Sequence, residues 1–188
     1  MIIFDLDGTL ADCEHRRHFV DPIKSGLKWG GIEGDYPGNW TRNGIGIKWK
    51  PDWKAFYEAC DKDLPIQPVK SVFIQYCHRD IEIWSGRCES VRKKTEKWIS
   101  DNIIDEDFKR FSKLRLKMRP IGDNTPDDQL KEKWLNEQCA DLMDMGLYGK
   151  IPKKHTIDFV FDSDPKSIEM WRRRGIFVFD VNQSGNEF

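Results

Sequence analysis

Asp5 and Asp7 follow the apolar run Ile2-Ile3-Phe4, Ser85 and Arg87 follow Ile81–Trp84, and Asp162 and Asp164 follow Ile157–Phe161. Short acids gathered at one place repel each other and need a counter-charge, and a set of oxygen ligands is what a hard cation such as Mg2+ accepts. One aspartate at the end of a strand commonly caps the next helix instead. The set of four carboxylates and a serine is what points to a metal-assisted site.

These residues share a rim only if the apolar runs are neighbouring strands. Ile2–Leu6 reads as a buried strand, and Ile81–Trp84, Ile157–Phe161 and Ile176–Val181 repeat the pattern. The segment 111–119 alternates with period two. It places Phe111, Leu114, Leu116 and Met118 near one face and Lys113, Arg115, Lys117 and Arg119 on the other, as a charged edge strand does. Helices are predicted from the Asp52 cap to about Cys60, from Pro68 to about Arg79, and over Glu89–Ser100, Asp128–Cys139 and Pro165–Arg174. Strand alternating with helix predicts an α/β fold, a Rossmann-like, mostly parallel sheet flanked by helices, with ligands at the carboxyl ends of the strands. The stretch from about Ile23 to Lys50 breaks the pattern, with seven of the 14 glycines and Trp29, Trp40 and Trp49. The expected organisation is a core of residues 1–22 and 65–188 carrying an insertion at 23–64.

Asp5-Leu6-Asp7-Gly8-Thr9-Leu10 resembles the first motif of the haloacid dehalogenase superfamily of phosphohydrolases. Ile83-Trp84-Ser85-Gly86-Arg87 is similar to its second motif, Lys131 to its third, and Phe161-Asp162-Ser163-Asp164 to its fourth, all in order. Arg119–Asp123, Asp127–Glu132 and Ile168–Arg173 with Gly175 further resemble the phosphatase domain of the bacteriophage polynucleotide kinase-phosphatases, a match over about Ile2–His18 and Val69–Phe188. The resemblance implies that Asp5 is the nucleophile of an aspartyl-phosphate mechanism, Asp7 the general acid and then base, and Lys131 the cation that offsets charge at the reacting centre. It implies Mg2+ held by Asp5, Asp7, Asp162 and Asp164, with Thr9, Arg16, Ser85, Gly86, Arg87 and Asp127 on the substrate and its phosphate. Asp127, one turn before Lys131, is expected to hold the ammonium in place. The fourth motif departs from adjacent acids, since Ser163 separates Asp162 from Asp164. The outer position is therefore open between Ser163 and Asp164.

The resemblance makes the insertion a cap over the active site, whose Trp29, Trp40, Trp49 and Trp53 could stack a nucleobase, worth about 1–3 kcal/mol per base, or form a small core of their own. Lys+Arg of 31 against Asp+Glu of 32 excludes a generic polyanion binder, so a nucleic-acid partner would meet local patches. The basic face at 113–119 could be one. No G-x-x-x-x-G-K-[ST] occurs, so no kinase half is expected in this chain. The five scattered cysteines suit neither a disulfide framework nor a zinc ribbon, and Cys77-His78 is expected to be structural. With no leader and no apolar run long enough to span a membrane, a cytoplasmic setting is expected. The expected substrate is the 3′-phosphate of a polynucleotide or nucleotide. The alternative is a nucleoside 5′-monophosphate, with a catalytically inactive nucleotide-binding module a further one. Oligomeric state is not readable.

Overall fold

The structure is a computed structural model that describes residues 1–21, 28–29, 40–42, 45–47, 50–106, 109, 115–142 and 157–182, with backbone only at 28–29, 40–42, 45–47 and 139–142. Its strands are β1 (Ile2–Asp5), β2 (Ala11–Asp12), β3 (Lys28–Trp29), β4 (Trp40–Arg42), β5 (Ile45–Ile47), β6 (Leu64–Pro65), β7 (Ile81–Cys88), β8 (Leu116–Arg119), β9 (Phe159–Asp162) and β10 (Val178–Asp180). Its α-helices are α1 (Trp53–Glu58), α2 (Gln67–Gln75), α3 (Arg92–Asn102), α4 (Asp127–Leu142) and α5 (Pro165–Arg173). The chain divides into two units, Met1–Asp12 with Leu64–Phe188, and Cys13–Asp63.

The first unit is built on a five-stranded sheet of order β10-β9-β1-β7-β8 whose neighbouring pairs are all parallel. A parallel sheet must be covered on both faces, and the alternation along the strands supplies two apolar surfaces. Ile2, Phe4, Ile81, Ile83 and Phe161 pack with Val69 and Phe73 of α2 and Trp98 and Ile99 of α3. Ile3, Trp84 and Val160 pack with Leu130, Trp134 and Leu135 of α4 and Ile168, Met170 and Trp171 of α5. The α/β architecture expected from the sequence is therefore the one observed, with the strand at 111–119 on the edge of the sheet. Its described part is β8, and Phe111–Leu114 lie outside the described residues.

β2 and β6 form a two-stranded antiparallel ribbon in which Ala11 faces Pro65 and Asp12 faces Leu64. The second unit begins and ends there. It holds a 3-10 turn at Glu14–Phe19, the antiparallel sheet β3-β4-β5, and α1, which Asp52 caps by accepting a hydrogen bond from the Ala55 amide at 2.9 Å. Arg16 is fully buried in this unit, where its Nε and Nη2 each donate to the Asp63 carboxylate at 2.7 Å and its guanidinium lies 4.1 Å from the Phe56 ring centre. Most of the glycine- and tryptophan-rich stretch, Trp49 included, lies outside the described residues.

Phe4 ties the layers together: its ring stacks on Phe161 at 4.6 Å and meets Phe73 edge-on at 5.0 Å. Phe4→Ala is expected to cost about 3–5 kcal/mol, the usual range for emptying a buried aromatic site, read as a lower urea midpoint with an unchanged slope. A loss under about 1 kcal/mol would show that the neighbouring rings collapse into the space.

Candidate active site

Strand register delivers the first acids. Phe4 pairs with Ile83 on one side and Phe161 on the other, so Asp5 and Asp162 leave neighbouring strands at one level, with Ser85 just past Trp84, the partner of Asp5. All three are almost fully buried. Beyond β1 the chain reverses through Gly8 at φ 80°, a conformation glycine adopts without penalty. The Leu6 carbonyl accepts from the Leu10 and Ala11 amides at 2.9 and 2.8 Å. That reversal brings Thr9 back under β1, where its hydroxyl donates to Asp5 Oδ2 at 3.1 Å.

Lys131, on the first turns of α4, places its ammonium 3.0 Å from Asp5 Oδ1 and 2.8 Å from Asp162 Oδ2. The other donors to Asp162 are the indole N–H of Trp171, 2.9 Å from Oδ2, and the Asp164 amide, 3.1 Å from Oδ1. Burial alone would lower the Lys131 pKa, but Asp162 and Asp5 hold it above the ordinary lysine range. Burial pushes the Asp5 carboxyl up to about 8, against the pull of Lys131 and with added repulsion from Asp162 and Asp7.

β7 runs to Cys88, past the expected stop at Ser85. Its register against β8 jumps from Ser85–Met118 to Cys88–Arg119, a bulge that lifts Gly86 and Arg87 out of the ladder. Inside the bulge the Arg87 amide donates to Ser85 Oγ at 3.1 Å, and the Arg87 side chain turns to Asp7, its Nε 2.9 Å from Oδ1. Asp127 opens α4, and its carboxylate pairs with Arg119 and passes so close to Gly86 that a Cβ there would lie 2.7 Å from Oδ1 and nearer still to Oδ2. It is thus Asp5 and Asp162 that directly grip Lys131, with Asp127 contributing its charge from nearby. Asp164 caps α5, accepting from the Ser167 amide at 2.8 Å and hydroxyl at 2.7 Å, while the Ser163 hydroxyl donates to the Asp7 carbonyl at 3.2 Å. The first unit therefore brings together Asp5, Asp7, Thr9, Ser85, Gly86, Arg87, Asp127, Lys131, Asp162 and Asp164. Arg16 belongs to the second unit, with its fork on Asp63.

The profile of the polynucleotide kinase PNKP phosphatase domain matches residues 53–186 of this chain. The chain belongs to that family. It is a phosphatase of the haloacid dehalogenase type. The match begins at residue 53, so Asp5, Asp7 and Thr9 lie outside it. Two solved structures share the fold. "Structure of the Pnkp1/Rnl/Hen1 RNA repair complex" aligns at TM-score 0.55 and 22% identity over 98% of this chain and 43% of that one. "Structure of Pnkp1/Rnl/Hen1 complex" aligns at TM-score 0.53 and 23% identity over 95% and 44%. The chain thus spans less than half the length of these structural relatives. No curated protein matches it significantly. Among the described residues, no helix is long and apolar enough to cross a membrane.

Sequence reasoning missed Trp171 and Arg119. Trp171 reads as core by helical period, and its signal was chemical: a buried indole N–H needs an acceptor, and Asp162 on the adjacent strand is one. Arg119 reads as part of a solvated basic face. Its neighbours Arg115, paired with Asp80 and Glu82, and Lys117, over the Trp84 and Trp134 rings, do lie toward that surface, but Arg119 is buried.

A divalent cation fits the donor set. The acids offer only oxygen donors, and Lys131 alone stands between two of them, Asp5 and Asp162. Among the described residues, no three His, Cys, Asp or Glu side chains form a ready-made cage.

In metal-free protein Asp5 keeps its proton to about pH 8 when folded, against 3.8 as the ordinary value when unfolded. Between these limits the folded state binds more protons, so this group makes stability fall as pH rises and adds no slope above about pH 8. Lys131 is protonated in both states throughout that window. Melting in EDTA is therefore expected to show Asp5→Asn gaining on the parent between about pH 4 and 8. Parallel curves for the two proteins would contradict the raised carboxyl.

Proposed function

We propose that the chain is a magnesium-dependent phosphomonoesterase that carries the phosphoryl group on Asp5 and removes a 3′-phosphate from a polynucleotide or nucleotide. The observation that carries this reading is the buried Asp5–Lys131–Asp162 group in a chain whose family is the phosphatase domain of polynucleotide kinases. The RNA repair assemblies among its structural neighbours favour a nucleic-acid end over a free 5′-mononucleotide.

In the first step an Asp5 oxygen attacks phosphorus, the bond to the sugar oxygen breaks, and Asp7 gives its proton to that oxygen. In the second step a water attacks the phosphorus and yields its proton to Asp7, and the Asp5 carboxylate departs as inorganic phosphate is released. Thr9 fixes one oxygen of Asp5, and Lys131 offsets the negative charge gathered on Asp5 and the phosphoryl group. Ser85 donates to a phosphoryl oxygen, and Arg87 sets the direction of Asp7. The Asp5, Asp162 and Asp164 carboxylates would hold Mg2+, with Asp7 contributing its main-chain carbonyl and keeping its side chain for the proton. When bound, the cation supplies Lewis-acid stabilisation of the phosphoryl oxygens. Residues 23–64 are the cap insertion of this reading, and Trp53, on α1 and about half exposed, is its described candidate for a base contact.

Asp5→Asn is expected to lose at least about a thousandfold in turnover while melting cooperatively and no earlier than the parent, and retained turnover would refute attack by Asp5. EDTA is expected to stop hydrolysis and Mg2+ to restore it; activity that persists in the chelator removes the cation from the scheme. A 3′-phosphorylated oligonucleotide is expected to outrun a panel of 5′-mononucleotides. Equal inertness toward both would end the nucleotide reading.

A further inference from the structure

Arg119, the last residue of β8, carries a charge that the strand pattern sends to solvent, yet it lies only 8% exposed against the rim. The acceptors around its guanidinium belong to the loops beside the phosphoryl site. Nε donates to the Gly86 carbonyl at 2.9 Å, inside the bulge that carries Ser85 and Arg87. Nη1 donates to the Thr125 carbonyl and, at 3.4 Å, to the Asp123 carbonyl, the segment that leads into α4. Nη2 donates to the Asp127 carboxylate, four residues before Lys131 on the same helix.

Gly86 is the other half of this arrangement. Asp127 occupies the space where any other residue at 86 would place its Cβ, with Oδ1 at 2.7 Å and Oδ2 closer. The carboxylate thus rests on the Gly86 backbone while the guanidinium binds the carbonyl of the same residue. Two elements far apart in the chain, the β7 bulge and the first turn of α4, are locked by one planar cation. An ammonium in its place has neither the fork nor the reach to serve a carbonyl and a carboxylate in one plane.

We propose that Arg119 is a positioning residue of the phosphatase: it holds the Ser85-Gly86-Arg87 bulge against the start of α4 and so fixes the distance between Ser85 and Lys131. This rests on the reading of Ser85 and Lys131 as groups at the phosphoryl site. Arg119 does not touch the reacting atoms. Its loss relaxes two groups that must meet the transition state together, and a misplacement of about 1 Å can cost about a hundredfold in rate.

The test uses the full chain with p-nitrophenyl phosphate, an aryl phosphate too small to depend on nucleic-acid contacts, beside a 3′-phosphorylated oligonucleotide. Arg119→Ala is expected to lower kcat by about tenfold or more with KM within about threefold of the parent, and added guanidinium ion is expected to return part of that rate. Arg119→Lys, which keeps charge and most of the volume, is expected to lose about tenfold in kcat with a melting temperature near the parent's. Lys117→Ala, on the same strand, is expected to leave kcat unchanged. An Arg119→Ala kcat within about threefold of the parent overturns the proposal. So does a parent-like kcat for Arg119→Lys, or a loss in the alanine variant that guanidinium leaves untouched. If Arg119→Ala does not fold, Arg119→Lys decides alone on the same criterion. A parent that cleaves the aryl phosphate but not the oligonucleotide defeats the 3′-phosphate reading, while the aryl phosphate rates of the variants still decide the role of Arg119.

Discussion

The position of one ammonium organises the first unit. Lys131 is nearly inaccessible to water and sits between two carboxylates that are also buried, each supplied by a different element: β1, α4 and β9. Removing three charges from water is costly, and their mutual attraction offsets the cost only where the remaining lone pairs are also met. Thr9 meets one on Asp5, and Trp171 and the Asp164 amide meet those on Asp162. Each of these donors requires its own support: the tight turn at Gly8 for Thr9, the cap of α5 for the Asp164 amide, and the packing of α5 on the sheet for Trp171. The balance remains incomplete, with two acids against one base, and the deficit falls on Asp5. Under the proposed mechanism, the cation and the phosphoryl group would complete the set at Asp5.

Much of this was legible in the sequence because parallel strands buried on both faces must be largely apolar, and Ile2–Phe4 and Phe159–Phe161 show it directly, as Ile81–Trp84 does apart from Glu82. The acids at their ends were visible for the same reason, since a charge just after an apolar run marks the rim of the sheet. Lys131 and Asp127 were legible only through the family's spacing; nothing local separates them from other charged helix residues. The direction of individual side chains was not legible. Asp164 reads as a rim acid, yet its carboxylate accepts from Ser167 and caps α5. Arg119 departs from the alternation of β8, being buried like Met118 before it, where the bulge in β7 changes what lies opposite.

The tryptophans outside the insertion all belong to the core of the first unit. Trp84, Trp98, Trp134 and Trp171 are buried in the first unit, on both faces of the sheet. Trp84 and Trp134 meet edge-on at 5.8 Å and carry Lys117 above them, which gives the outer surface of β8 a cation resting on an aromatic floor. The basic residues of this strand are thus largely bound up within the protein, which weakens the case for a backbone track along it.

The short ribbon of β2 and β6 has a consequence for how such chains diversify. Because Ala11 stands opposite Pro65 and Asp12 opposite Leu64, the chain leaves the sheet unit and returns to it at adjacent points. The entropy of closing a loop grows only with the logarithm of its length, about 0.6 kcal/mol for each doubling. Whole segments can therefore be inserted, shortened or exchanged between those two strands at small thermodynamic cost and without moving β1 or β7. The ribbon works as a socket: whatever segment it carries, the buried charges of the first unit stay fixed.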